Sequence, residues 1–267
     1  MKTLPAFVLP LSVSTGVLVG VAAACGLLLD STYASEAASF ALQGKAQDLV
    51  TLVWVIPLYA VVLHRLGKGS SAARLAWLGV MLYFTYTYLL ASMGLAYNRL
   101  FLLYVAIYGT SLGLLITGVS SVSTADLATR FSSGFPRRAT AVFMIALGSM
   151  LGLLWLGAIV PSLVTGAPPA LLNDTVTQSP VVQAMDLGII VPLSAVAGVT
   201  LWRGMGLGYL LAGFVLTKAI TMGPALISMG VFLTAAGMPV APPMWVFAVL
   251  VTILGAYFAW RYLTALR

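Results

Sequence analysis

The residue with the clearest chemical potential is Lys218, which lies within a long apolar stretch. No other charged residue occurs between Arg203 and Arg261. An ammonium group in hydrocarbon costs about 3 kcal/mol or more unless it is paired or hydrated. Such a group can bind an anionic ligand, or it can form an ion pair with a carboxylate of the same chain.

Asp186 is the expected partner of Lys218. If the two residues lie on neighbouring antiparallel helices, the helical rise places Lys218 about 22 Å and Asp186 about 26 Å from Arg203. We therefore expect Lys218 to face the protein interior and to approach Asp186, directly or through water. Asp48 has the matching position in the first half of the chain. In the alternative interpretation, both aspartates are only caps and dipole partners at helix starts, and the lysine extends to the membrane interface.

Tyrosines are concentrated in two apolar stretches. Tyr83 and Tyr86 belong to the run 83–88, and Tyr104 and Tyr108 lie one helical turn apart. Hydroxyl groups inside a membrane need hydrogen-bond partners, and the rings can line a cavity for an amphipathic or cationic ligand. The simpler alternative is hydrogen bonding between helices. The candidate ligand-binding or ion-pair residues are Lys218, Asp186, Asp48, Tyr83, Tyr86, Tyr104 and Tyr108.

Pro224 follows Lys218 within the same apolar stretch. A proline removes one helical hydrogen bond and leaves a carbonyl near residue 220 without its usual donor. Interrupted helices often line the binding sites of transporters, although kinked membrane helices also occur without a ligand. Beside a buried lysine, the proline favours a binding site.

Other kinds of chemistry lack the necessary residues. His64 is the sole histidine and Cys25 the sole cysteine, so zinc or haem ligation and intrachain disulfides are not expected. No phosphate-binding loop or nucleophile elbow is present. The sequence predicts no catalytic residues, no metal site and no cofactor. A membrane enzyme acting on lipid stays an alternative, but no acid–base or nucleophile arrangement supports it.

Eight long apolar stretches must position these residues. Apolar residues make up 61% of the 267-residue chain and charged residues only 7%, whereas soluble domains have about 25% charged residues. A spanning helix needs about 20 apolar residues, and helices satisfy their own backbone in hydrocarbon. The sequence therefore predicts an all-α, polytopic transmembrane helical bundle. The expected spans are 4–29, 48–66, 72–95, 100–122, 139–163, 184–202, 206–234 and 243–266.

The charged residues are sorted between the two ends of these spans. The end rich in lysine and arginine is usually cytoplasmic, so we expect a multi-pass protein of the cell (inner) membrane with both termini inside. The net charge of +7 then serves orientation and contact with anionic lipids rather than nucleic acid. The basic end holds Lys2, Arg65, Lys68, Arg74, Arg130, Arg137, Arg138, Arg203, Arg261 and Arg267. The opposite end holds Asp30, Glu36, Asp48, Asp174 and Asp186, with Lys45 and Arg99.

A weak internal repeat relates two of the spans. Asp48 and Asp186 begin spans that each contain a Pro-Leu pair and end in an arginine. A shift of three residues is needed to align Pro57 with Pro192. If the repeat is real, it predicts two four-helix halves in the same orientation, related by an axis along the membrane normal. The expected units are a single transmembrane domain, 1–267, and within it the candidate halves 1–122 and 139–267.

These observations favour a transporter-like membrane protein that handles a small molecule or an ion. Its site is expected in the outer half of the bundle, where Lys218 holds an anionic group or exchanges its ion pair between carboxylates. The alternative is a non-catalytic accessory or scaffold subunit of a membrane complex, whose polar groups only lock the helices together. The expected partners are the lipid bilayer, a small-molecule ligand, and a second copy or a membrane complex.

Overall fold

The fold is a bundle of α-helices, given by a computed structural model that describes residues 2–266. Arg267 lies outside this range, and Asp174 is described by its backbone only. The chain is 81% helical and has no strands in the described part. Eight helices are long and apolar enough to cross a membrane, which confirms the predicted all-α polytopic bundle. They are α1 Val8–Leu28, α2 Ala38–Gly67, α3 Ser71–Gly94, α4 Phe101–Ser120, α5 Arg137–Thr165, α6 Val181–Trp202, α7 Gly206–Ala235 and α8 Pro242–Ala265.

The start of α2 differs from the prediction. The helix begins at Ala38 rather than near residue 48, because the segment 38–47 is rich in alanine, leucine, glutamine and lysine, which favour helix. Asp48 therefore lies inside α2, and its interpretation as a cap at a helix start is wrong. Asp186 lies beyond the first turn of α6, which starts at Val181.

Helices α3 and α7 form the centre of the bundle. In the most apolar part of each, 61% of the residues are buried, compared with 17–39% in the other six helices. The two helices approach closely where Gly79 of α3 meets α7. A methyl group at Gly79 would lie 2.9 Å from the carbonyl oxygen of Gly213 and would overlap Thr217. Small residues at such positions allow helix backbones to pack closely in membranes.

Helices α2 and α6 share an unusual backbone. Each contains one five-residue π-helical segment, Thr51–Val55 in α2 and Asp186–Ile190 in α6. Pro57 and Pro192 follow these segments at the same distance. A proline cannot bond the carbonyl four residues earlier, and a π turn is one adjustment that satisfies freed backbone groups in a membrane.

The turns after α2 and α6 also match. Gly69 and Gly204 have positive φ angles of 79° and 76°. The residue after each glycine donates its N–H group to the carbonyl five residues earlier. In the one register that aligns the π segments, the prolines and these glycines, Thr51 rather than Asp48 corresponds to Asp186. The division of the chain into two halves stays a prediction.

Both ends of the described chain lie at the same end of the bundle. The N–H group of Lys2 donates to the carbonyl of Ser121 at 2.8 Å, and that of Ser132 donates to the carbonyl of Ala265 at 2.9 Å. We call this end, with the loops after α2, α4 and α6, the basic end, and the opposite end the acidic end. One acidic residue, Asp126, also lies in the loop after α4.

The central contact between α3 and α7 can be tested with two alanine substitutions. We expect Gly79→Ala to lower the free energy of unfolding by about 1–3 kcal/mol, because the added methyl group overlaps α7. Gly109→Ala on the exposed face of α4 is the matched control, since nothing lies within 4 Å of its added methyl group. Thermal unfolding in detergent micelles measures both, and equal stabilities would contradict the close packing.

Candidate functional site

Lys218 lies on the central helix α7 with its side chain buried, 9% exposed. Its ammonium nitrogen lies 3.5 Å from the centroid of the Tyr86 ring, a cation–π contact. Within residues 2–266, no hydrogen bond or ion pair reaches this nitrogen. The expected interior orientation of the side chain is confirmed. Because an ammonium group carries three N–H donors, Lys218 keeps donor capacity for a further partner.

The Asp186 carboxylate is held by two neutral donors from other helices. The Tyr86 hydroxyl of α3 donates to Oδ1 at 2.6 Å, and the Trp155 indole N–H of α5 donates to Oδ2 at 2.9 Å. Asp186 is 2% exposed. Trp155 was not among the sequence candidates. Its position in mid-span, away from the interfaces where membrane tryptophans usually lie, is the signal that could have identified it.

Tyr86 connects Lys218 with Asp186, which do not form a direct ion pair. The one ion pair in the described chain joins Lys45 and Asp30 at 2.6 Å. Lys218 lies about 18 Å from the basic end of α7, near the middle of this helix, whereas Asp186 lies about 24 Å from the basic end of α6. The Tyr86 ring fills this difference in height. The direct approach that was one of the two expectations does not occur, and an aromatic side chain lies between the two charges instead.

The first half of the chain contains a neutral counterpart of this arrangement. In the register set by the π segments and glycines, Tyr83 corresponds to Lys218 and Thr51 corresponds to Asp186. The hydroxyl oxygens of Tyr83 and Thr51 lie 3.1 Å apart, and Gln47 also donates to the tyrosine. The pair α2 and α3 thus carries two hydroxyl groups at the positions where the pair α6 and α7 carries opposite charges.

Asp48 belongs to a second cluster near the acidic end. The Tyr33 hydroxyl donates to its Oδ2 at 2.6 Å, and the carboxylate packs so tightly on Gly26 that a methyl group there would overlap it. Tyr88 and Tyr104, with ring centroids 5.9 Å apart, lie within electrostatic range of Asp48. Tyr33 was missed because it lies in the loop before α2.

The structure therefore divides the predicted site. In the described part of the chain, no hydrogen bond or ion pair joins Asp48 to Lys218 or Asp186. Tyr108 is half-buried, and within residues 2–266 no hydrogen bond of its hydroxyl joins it to either cluster. Of the four candidate tyrosines, only Tyr86 contacts Lys218.

The carbonyl released by Pro224 is used by the protein itself. The indole N–H of Trp54 in α2 donates to the carbonyl oxygen of Ile220 at 2.9 Å. Ile220 is the residue whose helical partner Pro224 removes, so the expected free carbonyl exists. Because Trp54 occupies it, this carbonyl does not add an acceptor to the environment of Lys218.

Two cavities of the bundle are lined by residues other than Lys218. One of about 50 Å³ lies against the basic-end half of α7 and is lined mainly by apolar side chains such as Leu58 and Leu216. A second, of about 470 Å³, lies at the basic end beside Phe131 and Tyr209. Lys218 lines neither of these two cavities. No group of three or more metal-ligating side chains occurs among the described residues.

No protein-family model, no curated protein and no solved structure matches this chain. The class of protein follows from the fold alone. Eight apolar helices with buried charged residues at their centre define a polytopic α-helical integral membrane protein.

Glu36, in the loop before α2, carries a partly satisfied carboxyl group. Its Oε1 accepts the Ala96 N–H at 2.6 Å, while its Oε2 is buried without a hydrogen-bond partner. Burial raises the pKa of the Glu36 carboxyl. The pKa of Asp30 in the same loop is lowered instead, because Lys45 bonds its exposed carboxylate.

These opposite shifts predict opposite effects of pH. A carboxyl group whose pKa is raised by folding stabilises the folded protein at low pH, where it is protonated. This contribution to the free energy of unfolding is lost as the pH rises through the pKa of the folded state. We therefore expect Glu36→Gln, which keeps the acceptor for Ala96, to raise the melting temperature at neutral pH and to have no effect near about pH 4.

Asp30→Asn is the control of opposite sign. Because the pKa of Asp30 is lowered in the folded protein, its carboxylate stabilises the fold above the unfolded pKa, and this stabilisation is lost as the pH falls. We therefore expect the variant to have a slightly lower melting temperature at neutral pH and an unchanged one at low pH. Melting temperatures in micelles across a pH series compare both variants with the parent. A Glu36→Gln variant that melts lower at every pH would refute the burial argument.

Proposed function

We propose that this protein is a transporter-like membrane protein that handles a small molecule or an ion at Lys218. The observation that carries the proposal is the buried ammonium group, which has no polar partner among residues 2–266. Charged side chains within membrane helices are costly and commonly mark substrate or ion pathways. A purely structural charge is expected to be fully paired.

The chemistry of the cluster supports an anionic ligand. Lys218 offers N–H donors, and the Tyr86 ring stabilises its charge while no ligand is present. Asp186 is already held by two donors, so it balances the lysine without consuming its donors. The location of Asp48 in another cluster argues against exchange of the lysine ion pair between two carboxylates.

The backbone around the cluster provides places where the closed bundle can open. Asp186 is the first residue of a π-helical segment, and such segments are frequent at functional sites. Prolines interrupt α2, α6 and α7 close to the cluster, and sharp helix bends occur at prolines and π segments. Bending at these positions would expose Lys218 to water from one side of the membrane.

The charge distribution supports the orientation of this transporter-like protein. The loops of the basic end carry most of the lysine and arginine residues, and such loops remain in the cytoplasm. We therefore place both termini in the cytoplasm and the protein in the cell (inner) membrane.

Opening of the site can be tested without knowledge of the ligand. Cys25 is the sole cysteine, so a Cys25→Ala background permits single-cysteine labelling with a small anionic methanethiosulfonate in proteoliposomes. We expect Lys218→Cys to be labelled more slowly than exposed Lys68→Cys but at least about tenfold faster than Ala225→Cys, because transient opening brings water to position 218.

Ala225 is the matched negative control, since it lies on the same helix and is fully buried, 0% exposed. Labelling of Lys218→Cys at the rate of Ala225→Cys would show that the site does not open, and the transporter-like proposal would fail.

A second candidate function is that of an accessory or scaffold subunit. It is favoured by the closed packing, since Lys218 lines neither cavity and Trp54 occupies the carbonyl released by Pro224. In this function, Lys218, Tyr86 and Asp186 only lock α7, α3 and α6 together.

A double-mutant cycle separates the two candidates. If Lys218 is a lock, Lys218→Met lowers the free energy of unfolding by about 3–5 kcal/mol, because it leaves Asp186 uncompensated, and Asp186→Asn relieves the loss. If Lys218 is a ligand site, methionine replaces an incompletely paired charge and stability stays equal or rises. We expect the second result, measured by unfolding in micelles with Lys68→Met as the control.

A further inference from the structure

The cavity at the basic end of the bundle is a second place where a ligand fits. It is an open cleft of about 470 Å³ between the loop 131–136, the first residues of α5 and Tyr209 of α7. It is unrelated to the Lys218 cluster, because the two share no residue.

The walls of this cavity are tied to the end of α8. The N–H group of Ser132 donates to the carbonyl of Ala265 at 2.9 Å, and the Arg261 guanidinium donates to the carbonyl of Gly134 at 2.6 Å. The Phe131 ring packs on that of Tyr209 with centroids 4.6 Å apart. These contacts hold the loop in place, so the cavity is formed without a ligand.

Two arginines give the cavity its charge. Arg137 and Arg138 both line it, and neither forms an ion pair with a carboxylate in residues 2–266. Arg137 packs on Gly204, where a methyl group would overlap its guanidinium, and the Arg138 guanidinium lies 5.7 Å from the Trp202 ring centroid. Both guanidinium groups are thus positioned by packing while their N–H donors stay available.

Tyr209 adds an unused polar group to the same wall. Its side chain is 7% exposed and lines the cavity, yet its hydroxyl has no hydrogen-bond partner in the described chain. Ser132 lines the cavity as well, so two arginines and two residues with hydroxyl groups border one space.

We propose that this cavity binds a phosphate group, supplied either by the headgroup of an anionic phospholipid or by a soluble phosphate ester. Guanidinium groups match the planar, bidentate geometry of phosphate oxygens. The aromatic wall of Phe131, Phe135 and Tyr209 accommodates the apolar part that accompanies the phosphate. The cavity opens at the basic end, where the headgroups of one leaflet lie.

Native mass spectrometry of the detergent-solubilised protein tests this proposal with phosphatidylglycerol and phosphatidylcholine as probes. We expect retention of phosphatidylglycerol over phosphatidylcholine, and Arg137→Gln and Arg138→Gln should each weaken it about tenfold. Arg65→Gln is the matched control, since it removes an exposed charge from the same end without touching the cavity. Tyr209→Phe keeps the ring and should weaken retention by a smaller factor.

A second arm separates the sources of the phosphate. Glycerol 3-phosphate is added in a thermal-shift assay of the same variants. If glycerol 3-phosphate raises the melting temperature of the parent but not of the cavity variants, and phosphatidylglycerol is not preferred, the ligand is a soluble phosphate ester. If phosphatidylglycerol is preferred and glycerol 3-phosphate has no effect, the ligand is a lipid. If Arg138→Gln and Tyr209→Phe both behave like Arg65→Gln in both assays, the cavity does not bind phosphate and the proposal is overturned.

Discussion

One electrostatic constraint organises the interior of this bundle, namely the burial of the Lys218 ammonium group among lipid-embedded helices. Hydrocarbon disfavours such a charge, and Tyr86 compensates with its ring face toward the lysine and its hydroxyl toward Asp186. The three residues come from α7, α3 and α6. Each of the three helices thus contributes one member of the cluster, and the N–H donors of the lysine stay unused.

The backbone of α2 and α6 fits the same constraint. In each helix, one turn before the proline is a wider π-helical segment. In α6 this turn begins at Asp186, so the carboxylate lies where the helix is least regular. In α2 the corresponding position is Thr51, which meets Tyr83 instead of a lysine. The contact between α2 and α3 therefore uses neutral hydroxyl groups at the positions where α6 and α7 carry charges.

The candidate site could be predicted only in part. The helical rise predicted Lys218 and Asp186 at similar depths, whereas in the structure they differ in height by about 6 Å, which the Tyr86 ring spans. Their partners Tyr86 and Trp155 come from α3 and α5, and Tyr33 reaches Asp48 from a loop. Helical periodicity does not show which distant helix supplies a hydrogen-bond donor. The sequence therefore predicted one site, whereas the structure places Asp186 and Asp48 in two separate clusters.

The sequence by itself determined the number of helices, their apolar character and the sorting of charges, because hydrocarbon accepts only long apolar segments that satisfy their own backbone. The apolar pattern did not locate the start of α2, because the segment 38–47 favours helix by residue type but is too polar to be recognised as part of a span. In the structure this segment packs on α7, as in the bond from Ser228 to the carbonyl of Ala46. Tertiary structure alone decided that Tyr86 stands between the two charges and that Trp54 occupies the carbonyl of Ile220. Such contacts depend on helix rotation and crossing, which side-chain packing sets and a single helix does not encode.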